Sequence, residues 1–328
     1  MSSRYSATRT VADGVETVRL ADAARETEVA IAIGAGNMAY ELKVRGANFL
    51  WFPFADPAEL LEHPKFCGVP FLAPWANRLD GDSYWVNGKQ YTLNAAIANF
   101  RRDPNGKPIH GLLNYSRDWT LVSADADEHS SQATSRLEFG AHPGLMAQFP
   151  FAHTITMTYR LAEGVLQVET ALWNRAAEPL PVAIGYHPYF QLHDAPRDQW
   201  KVHLAARAHL VLSSQLIPTG ERTPVEFSDP HALNRGPLDD VFSDLVRGGD
   251  GRARFWVEGL NERVTVAYGP KYPVAVVYAP PGKDFICFEP MAAVTNAFNL
   301  AHAGLYPSLQ TVPPGGEWRE SFWIEVRA

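Results

Sequence analysis

The sequence predicts an all-β protein, a large antiparallel sandwich or barrel with few short helices. Apolar and polar residues alternate over many short segments, as in strands with one buried and one solvated face. Glycine (24) and proline (25) are frequent, as expected for many tight turns between short strands. Long segments with the 3.6-residue period of an amphipathic helix are absent. Because no repeat or linker marks a boundary, we expect a single domain over residues 1–328.

Hairpins give the clearest local signals. Each consists of two β-prone segments around a short turn that contains glycine. They are 28–33 with 37–44, 84–86 with 89–93 around Asn87-Gly88, and 153–161 with 165–173. Further strands are predicted at 200–204, 209–212, 254–257, 263–268, 274–278 and 318–327. Short helices are predicted at 57–63 and within 292–302.

Charge and cysteine usage exclude several classes of protein. The net charge of -7 provides no basic surface for a phosphate backbone, so no nucleic-acid partner is expected. Cys67 and Cys287 lie far apart in the sequence and lack the spacing of a zinc site or of a disulfide framework. We therefore predict two buried thiols, no metal and no other cofactor.

The sequence does not suggest a membrane protein. Residues 1–16 lack the apolar stretch of a signal peptide, and nowhere do about 18 apolar residues follow one another. We expect a cytoplasmic protein, either monomer or dimer. Aromatic residues make up 12% of the chain, which suits a large core and also a sugar site, where flat rings cover the C–H face of a pyranose.

Residues 284–299 contain the first candidate catalytic group. If 285–288 is a strand, Glu289 ends it and faces the same side as Phe285 and Cys287. The proline that follows holds the backbone extended. A carboxylate in such apolar surroundings loses hydration, so its pKa rises and it becomes a proton carrier near neutral pH. The alternative is a structural glutamate that reaches water or pairs with an arginine.

His187 occupies a similar position within residues 184–192. Like Glu289, it ends an apolar run and is followed by a proline, so its backbone is also held extended. Pre-positioned acid and base groups need such rigidity. The alternative is a histidine packed among the aromatic residues that flank it.

Shorter stretches supply candidate binding residues. Asn77-Arg78 ends an almost uncharged run, and the forked donors of the arginine suit hydroxyls or a carboxylate, although an incidental salt bridge is an equal alternative. His110 precedes a glycine, where a turn residue is the simpler interpretation. Asp239 and Asp240 are expected in a loop, where aspartates most often cap or turn the chain.

Taken in this order, the motifs resemble those of the aldose 1-epimerase (galactose mutarotase) family. The matching residues are Asn77-Arg78, His110-Gly111, His187 in HPYF, Asp239 ahead of Phe242, Glu289-Pro290 and Asn296-Ala297-Phe298-Asn299. The likeness spans nearly the whole chain. It implies a large antiparallel β-supersandwich with an open groove that binds a small-molecule sugar, a free aldose.

The resemblance also implies roles for these residues. Glu289 would be the general base that takes the proton of the anomeric hydroxyl, and His187 the acid that protonates the ring oxygen. Ring opening, rotation about C1–C2 and closure on the other face would give the opposite anomer. His110 would lie beside the ring oxygen, and Arg78 and Asp239 would hold hydroxyl groups.

Other functions remain open at this point. Arg101, Arg102 and Lys107 could meet a phosphate, as in hexose-6-phosphate epimerases of the same fold, although a solvated basic loop is the simpler explanation. A non-catalytic carbohydrate-binding protein could use the same scaffold. A glycosidase would need a second carboxylate facing Glu289, for which Asp239 is the candidate.

Some residues differ from the galactose-specific members of the family. Those members typically carry asparagine where Tyr186 and Gln191 stand in this chain. Met291 also replaces a polar residue often found after the glutamate and proline. The resemblance therefore does not define the preferred sugar.

Overall fold

Strands dominate the protein, whose computed structural model describes residues 3–97 and 100–328. Within these ranges the α-helices are α1 (Pro57–Glu62), α2 (Pro143–Gln148) and α3 (Ala297–His302). The strands of the first half of the chain are β1 (Tyr5–Ala12), β2 (Val15–Asp22), β3 (Thr27–Ala32), β4 (Met38–Val44), β5 (Ala47–Asn48), β6 (Phe71–Leu72), β7 (Ser83–Val86), β8 (Lys89–Thr92), β9 (Thr120–Ala126), β10 (Ser131–Glu138), β11 (His153–Ala162) and β12 (Val165–Asn174). The strands of the second half are β13 (Leu180–Val182), β14 (Gly185–Tyr186), β15 (Tyr189–Phe190), β16 (Lys201–His203), β17 (Ala206–Leu212), β18 (Pro218–Pro224), β19 (His231–Ala232), β20 (Leu238–Leu245), β21 (Ala253–Glu258), β22 (Arg263–Tyr268), β23 (Val274–Ala279), β24 (Ile286–Met291), β25 (Gln310–Val312) and β26 (Glu317–Arg327).

Two large antiparallel sheets form the sandwich. In the described part of the chain, one sheet has nine strands in the order β19-β16-β21-β22-β26-β12-β11-β10-β9. The other has eight, in the order β18-β17-β20-β23-β24-β14-β6 with β15 also paired to β24. Strands β1 to β5 form a smaller sheet beside the nine-stranded one, and β7 pairs with β8 and β13 with β25. This is the β-supersandwich that the family resemblance implies.

The two large sheets pack face to face through aromatic and aliphatic side chains. The ring of Tyr186 in β14 lies 4.7 Å from that of Phe322 in β26, and Phe288 in β24 lies 6.2 Å from Phe255 in β21. Along strands such as β10, every second residue is buried and the others face outwards. Burial of this apolar surface stabilises the sandwich by roughly 25 cal/mol per Å².

The predicted hairpins and helices are confirmed. β3 pairs with β4, β7 with β8 and β11 with β12, each within a residue of the predicted bounds. The further predicted strands correspond to β16, β17, β21, β22, β23 and β26. Helix α1 begins after Asp56, whose carboxylate accepts hydrogen bonds from the backbone N–H groups of Ala58 and Glu59. Helix α3 occupies the second half of the predicted segment 292–302.

The structure corrects other expectations. Asp239 and Asp240 lie in β20 and not in a loop, because apolar residues of the same segment are buried in the core and anchor it as a strand. Glu289 lies within β24 and does not end it, since the pairing continues to Met291. Strands β1, β2, β9, β10 and β18 and helix α2 were not predicted. No side chain of β9 is fully buried, and in β18 only Pro218 is, so no clear apolar pattern marks these strands.

The faces of β24 follow the predicted alternation. Ile286 and Phe288 belong to the main core, whereas Phe285 and Cys287 pack in a separate cluster with Tyr189. Cys67 and Cys287 are both buried free thiols, as predicted. Among the described helices, none is long and apolar enough to cross a membrane.

Gly111 fixes how closely the loop that carries His110 approaches the segment after β6. Its φ is 69°, and its backbone forms a bridge with Ala73. A Cβ atom at this position would lie 2.1 Å from the carbonyl oxygen of Ala73, so only glycine fits. Because Gly111 follows His110 directly, this contact also determines where the imidazole lies.

Gly111→Ala should destabilise the protein more than Gly106→Ala in the same loop. Gly106 also has a positive φ, 77°, but no described atom lies within 4 Å of the Cβ position. The backbone conformation costs about 1–2 kcal/mol in both variants, and steric overlap adds roughly 1–3 kcal/mol in Gly111→Ala. Urea denaturation measures both free energies of unfolding. Equal losses would show that the contact with Ala73 does not constrain the loop.

Candidate active site

The candidate site is an open cavity of about 390 Å³ beside the eight-stranded sheet. All the binding and catalytic residues predicted from the sequence line it, namely Asn77, Arg78, His110, His187, Asp239 and Glu289. The other lining residues are Asp103, Pro104, Asn105, Ile109, Tyr189, Leu216, Val276 and Tyr278. Segments that are distant in the sequence therefore meet at one place.

Three neighbouring strands form the floor of the cavity. Glu289 in β24 is paired with Val276 in β23, and Tyr278 in β23 is paired with Asp239 in β20. Paired residues of an antiparallel sheet point to the same face, as do alternate residues of one strand. The register therefore brings a buried carboxyl, Glu289, and an exposed one, Asp239, to the same side of the sheet.

Of the two adjacent aspartates, Asp239 faces the cavity. Asp240 is instead held by His209, whose Nε2 lies 2.9 Å from its Oδ1. Oδ2 of Asp240 accepts a hydrogen bond from the backbone N–H of Asp239 at 3.1 Å. Partial loss of hydration raises the pKa of Asp239, while Arg78 opposes the rise and Asp240 adds to it.

His187 reaches the cavity from the chain between β14 and β15. Its backbone N–H donates to the carbonyl oxygen of Pro70 at 3.1 Å, and that of Tyr189 donates to Gly68 at 2.8 Å. The two side chains share one face, and their rings stack with centroids 4.6 Å apart and planes 2° apart. The ring of His110 meets His187 edge to face at 5.4 Å. Packing thus fixes the orientation of the imidazole.

Asn77 and His110 both adopt left-handed backbone conformations, with φ of 55° and 62°. These are uncommon outside glycine and need support from the surroundings. The N–H of His110 donates to the carbonyl oxygen of Asn77 at 2.9 Å, and Nδ2 of Asn114 donates to that of His110 at 2.7 Å. Oδ1 of Asn77 accepts from the backbone N–H and Nη1 of Arg78. The two loops therefore present Arg78 and His110 together.

Asp103, which sequence reasoning did not identify, fixes Arg78. Its Oδ2 accepts a hydrogen bond from Nε of Arg78 at 2.6 Å, and its Oδ1 accepts from the backbone N–H groups of Asn105 and Lys107. Burial opposes ionisation of Asp103, but the Arg78 and Lys107 hydrogen bonds outweigh it, and its pKa falls below the ordinary value. Asp103 thus occupies Nε of Arg78 and Asn77 accepts from Nη1, which leaves Nη2 for a ligand.

The segment from Asn296 to Asn299 supports the same loop from behind the cavity. The backbone N–H of Asn296 donates to the carbonyl oxygen of Arg78 at 2.8 Å. Oδ1 of Asn296 accepts from the N–H of Asp80 at 3.0 Å, and Oδ1 of Asn299 accepts from the N–H of Trp85 at 3.2 Å. These asparagines therefore position the backbone from Arg78 to Trp85 and do not line the cavity.

Glu289 and His187 are in direct contact within the cavity. Nε2 of His187 lies 3.3 Å from Oε1 of Glu289, and only 8% and 2% of the two side chains are exposed. Oε2 of Glu289 and Nδ1 of His110 have no hydrogen-bond partner among the described residues. Buried polar atoms without partners are rare and mark places that a ligand or water completes.

Burial determines the protonation of these groups. Loss of hydration raises the pKa of Glu289 well above its ordinary value; Asp239 adds to this rise and Arg78 opposes it. Loss of hydration lowers the pKa of His187 to about 3. Burial also lowers the pKa of His110, with a further contribution from His187. These opposite shifts favour a protonated Glu289 beside a neutral His187, so that the buried pair carries one proton and no net charge.

A carboxyl and an imidazole that share one proton can exchange two protons with a bound molecule. One group accepts a proton from an oxygen of the ligand, while the other donates a proton to a second oxygen. The net charge of the buried pair is the same before and after, so no uncompensated charge arises in the interior. The arrangement suits proton transfer at two oxygens bonded to the same carbon.

Two of the basic residues considered for phosphate binding are paired with carboxylates. Arg102 makes two hydrogen bonds with Asp82, at 2.7 and 2.8 Å. Nζ of Lys107 lies 2.7 Å from Oδ1 of Asp80. Both interactions neutralise a charge that a phosphate would otherwise attract.

Arg101 differs from these two residues. Its guanidinium carbon lies 5.3 Å from the ring centroid of Phe66 and 4.9 Å from that of Tyr115. Phe66 in turn packs against His110, with ring centroids 4.9 Å apart. Arg101 is therefore held over aromatic rings next to the cavity, without an ion pair in the described part of the chain.

The positions at which the resemblance implies a difference from galactose-specific members point away from the cavity. The hydroxyl of Tyr186 bonds to Thr170 in the core. Nε2 of Gln191 donates to the carbonyl oxygen of Asn48 at 2.8 Å. Met291 is fully buried in the main core. These residues support the fold and do not contact a molecule in the cavity.

Tyr189 and Tyr278 also line the cavity and were not predicted as site residues. Tyr189 could have been predicted from the sequence, because it follows His187 by two positions. Residues two apart on extended chain point to the same face. Tyr278 could not have been predicted, since only the register of β23 against β20 shows that it lies beside Asp239. Asp103 falls in an Asp-Pro-Asn-Gly run that resembles an ordinary turn.

Comparisons with known sequences agree on one family. Residues 16–325 match the family described as aldose 1-epimerase. An uncharacterized Escherichia coli K12 protein, YphB, is 24% identical over 266 residues, which cover 76% of this chain and 83% of that protein. The galactose mutarotase of Sus scrofa is 29% identical over 190 residues, which cover 53% of this chain and 47% of that protein.

Solved structures share the fold. A galactose mutarotase-like protein from Clostridium acetobutylicum superimposes with a TM-score of 0.87 at 21% identity, over 98% of each chain. A galactose 1-epimerase from Lactobacillus acidophilus NCFM superimposes with a TM-score of 0.74 at 14% identity, over 99% of each chain. At these identities the likeness establishes the fold.

Asp103→Asn should destabilise the protein clearly, whereas Asp82→Asn should not. The first variant leaves the Arg78 guanidinium, of which 14% is exposed, without its counter-ion. Removing one partner of a buried pair costs about 3 kcal/mol or more. The pair of Asp82 with Arg102 is solvent-exposed, so its loss should cost less than about 1 kcal/mol. Denaturant unfolding compares the variants, and similar small losses would contradict the role of Asp103 in fixing Arg78.

Proposed function

The chain belongs to the aldose 1-epimerase family, and we propose that it is an isomerase that interconverts the α and β anomers of a free aldohexose. The observation that carries this proposal is the contact of Nε2 of His187 with Oε1 of Glu289, 3.3 Å apart and buried, in an open cavity. Anomer exchange requires that a proton leave the anomeric hydroxyl while another reaches the ring oxygen, which is bonded to the same carbon. A pair that accepts and donates at once matches this requirement.

Ring opening starts from the carboxylate–imidazolium form of the pair, which forms when the proton moves from Oε1 of Glu289 to Nε2 of His187, 3.3 Å away. In this step, Glu289 is the base and His187 the acid. The carboxylate takes the proton of the C1 hydroxyl, the C1–O1 double bond forms, and the bond from C1 to the ring oxygen breaks. The ring oxygen takes the proton from Nε2 of His187. The pair then consists of a carboxylic acid and a neutral imidazole, which is the combination that burial favours.

Rotation about C1–C2 presents the other face of the aldehyde, and closure reverses the proton transfers. The hydroxyl on the sugar chain returns its proton to His187 as it attacks C1, and Glu289 gives its proton to the carbonyl oxygen. The pair is restored at the end of each turnover. Each positioned group contributes about 10² to 10⁴ in rate.

The other lining residues would hold the sugar. Nη2 of Arg78 donates to hydroxyl oxygens, and the exposed carboxylate of Asp239 accepts from hydroxyl groups. His110 meets His187 at 5.4 Å and so lies on the side of the ring oxygen. Val276 and Tyr278 provide apolar surface on the cavity floor for the C–H face of the ring.

Replacing either member of the pair should abolish or nearly abolish catalysis. Glu289→Gln removes the base at constant size, and His187→Asn removes the acid. We expect kcat to fall by about 10² to 10⁴ in each variant. The measurement is the relaxation of optical rotation of fresh α-glucose or α-galactose in weakly buffered solution. Unchanged rates in either variant would refute the assigned roles.

His193→Asn is the matched control for this experiment. His193 also contacts a glutamate, Glu262, at 3.5 Å, but 38% of its side chain is exposed and neither residue lines the cavity. Its loss should leave the rate unchanged. A wild-type protein that binds hexoses without accelerating the relaxation would be a carbohydrate-binding protein instead.

One observation favours a second candidate, a hexose-6-phosphate 1-epimerase. Arg101 lies beside the cavity, stacked on Phe66 and Tyr115, and no carboxylate pairs with it among the described residues. An arginine held in this way is suited to bind a phosphate with its forked donors. Arg102 and Lys107 contribute little to this candidate, because they are already paired.

The two candidates are separated by Arg101→Met, with Arg102→Met as the control. If the phosphorylated sugar is the substrate, Arg101→Met should raise its KM at least about ten-fold, because a charge-assisted hydrogen bond is lost. Arg102→Met should leave this KM unchanged, and neither variant should affect neutral hexoses. Polarimetry on glucose and on glucose 6-phosphate gives the KM of each variant for each sugar, for comparison with the wild type. A KM for glucose 6-phosphate that is unchanged in Arg101→Met would remove the case for the second candidate.

A further inference from the structure

The hydroxyl group of Tyr189 has no role in the mechanism above, although it lies in the cavity wall beside His187. It is 3.4 Å from Nε2 of His187, the atom that faces Oε1 of Glu289 at 3.3 Å. Only 6% of Tyr189 is exposed, and the residue lines the cavity. Three polar groups therefore converge on one point of the wall.

The contact of Tyr189 with His187 is weak as a hydrogen bond. The two rings lie in planes 2° apart, so the hydroxyl approaches Nε2 from above the imidazole and not along its lone pair. The distance of 3.4 Å is also longer than that of an ordinary hydrogen bond from a hydroxyl group. The hydroxyl proton is therefore available to a third atom in the cavity.

Packing holds this hydroxyl in place. The carbonyl oxygen of Tyr189 accepts a hydrogen bond from the backbone N–H of Trp51 at 2.9 Å. The tyrosine ring also contacts the rings of Trp51 and Phe285, with centroids 5.8 and 5.0 Å away. A side chain fixed on both sides presents its polar end without losing further conformational freedom when a ligand binds.

Burial keeps the hydroxyl protonated. Loss of hydration raises the pKa of Tyr189 well above its ordinary value, and Cys287 and Glu289 add to the rise. Tyr189 is therefore a hydrogen-bond donor at any working pH and does not exchange protons with the sugar. This separates its chemistry from that of Glu289 and His187.

We propose that Tyr189 is a third catalytic residue, which donates a hydrogen bond to the ring oxygen of the sugar as the bond to C1 breaks; this rests on the proposed function. Two donors that lie 3.4 Å apart can both reach one oxygen atom at hydrogen-bond distances of about 2.8 Å. The ring oxygen has two lone pairs. One takes the proton from His187, and the other accepts from Tyr189.

The hydrogen bond gains strength during the reaction. In the intact sugar the ring oxygen is a weak acceptor, because it bears no charge. When the C1 bond breaks, the electron pair moves onto this oxygen, and negative charge builds up until the proton of His187 arrives. A fixed donor at this place stabilises the transition state more than the bound sugar. Tyr189 keeps its own proton throughout.

Tyr189→Phe tests the proposal, because it keeps the ring stacked on His187 and removes only the oxygen. We expect kcat to fall about 10- to 100-fold and KM to stay within about two-fold of the wild-type value. Polarimetry on the sugar that the wild type converts best gives both parameters. The 1,5-anhydro form of that sugar lacks the anomeric hydroxyl and cannot open, so its Kd should be the same for both proteins.

Tyr272→Phe is the control for the loss of a buried tyrosine hydroxyl. Tyr272 is fully buried against Trp318, outside the cavity. Loss of its hydroxyl oxygen should therefore leave kcat unchanged. A wild-type kcat in Tyr189→Phe, or a higher KM at constant kcat, would overturn the catalytic role of Tyr189 and leave the proposed function intact. Absence of anomer exchange in the wild type would overturn both.

Discussion

A carboxyl group and an imidazole in direct contact can remain buried only when they carry a single proton between them. Glu289 and His187 meet at 3.3 Å with almost no exposure, and burial moves their pKa values in opposite directions. A second proton, or the loss of the first, would leave an uncompensated charge in the interior. The other charges of the site are also compensated. Asp103 balances the charge of Arg78, and the exposed carboxylate of Asp239 lies towards solvent.

The two halves of the site are supported in different ways. Glu289 belongs to a strand with partners on both sides, so backbone hydrogen bonds determine its position. Arg78 and His110 lie on loops and depend on particular neighbours. Asp103 holds the guanidinium, Gly111 lets the histidine loop pack on the segment after β6, and the asparagines before and within α3 bind the loop of Arg78. Substitutions at such neighbours affect the site without touching a ligand.

Much of the fold was predictable because local signals were strong. Hairpins with glycine turns and clear alternation, such as β11 with β12, were found within a residue. Strands β9 and β18 lie at the edges of their sheets and bury few or no side chains completely, so no apolar pattern marks them although each pairs with its neighbour in the sequence. The lining residues Glu289 and His187 were recognisable from an apolar run followed by proline. Asp103 and Tyr278 were not, because their positions depend on a long-range ion pair and on strand register, which no local pattern encodes.

The cavity is lined by two sets of residues, one on or next to the strands and one on loops. The proton pair lies on or next to the sheet, where a substitution disturbs the core. Pro104, Asn105 and Leu216 lie outside the strands, in connections that tolerate insertion and exchange. Tyr186 and Gln191 point into the protein, so exchanges at these positions affect packing and not the cavity. Divergence in substrate range within this architecture is therefore expected to accumulate in the loops and to leave the chemistry unchanged.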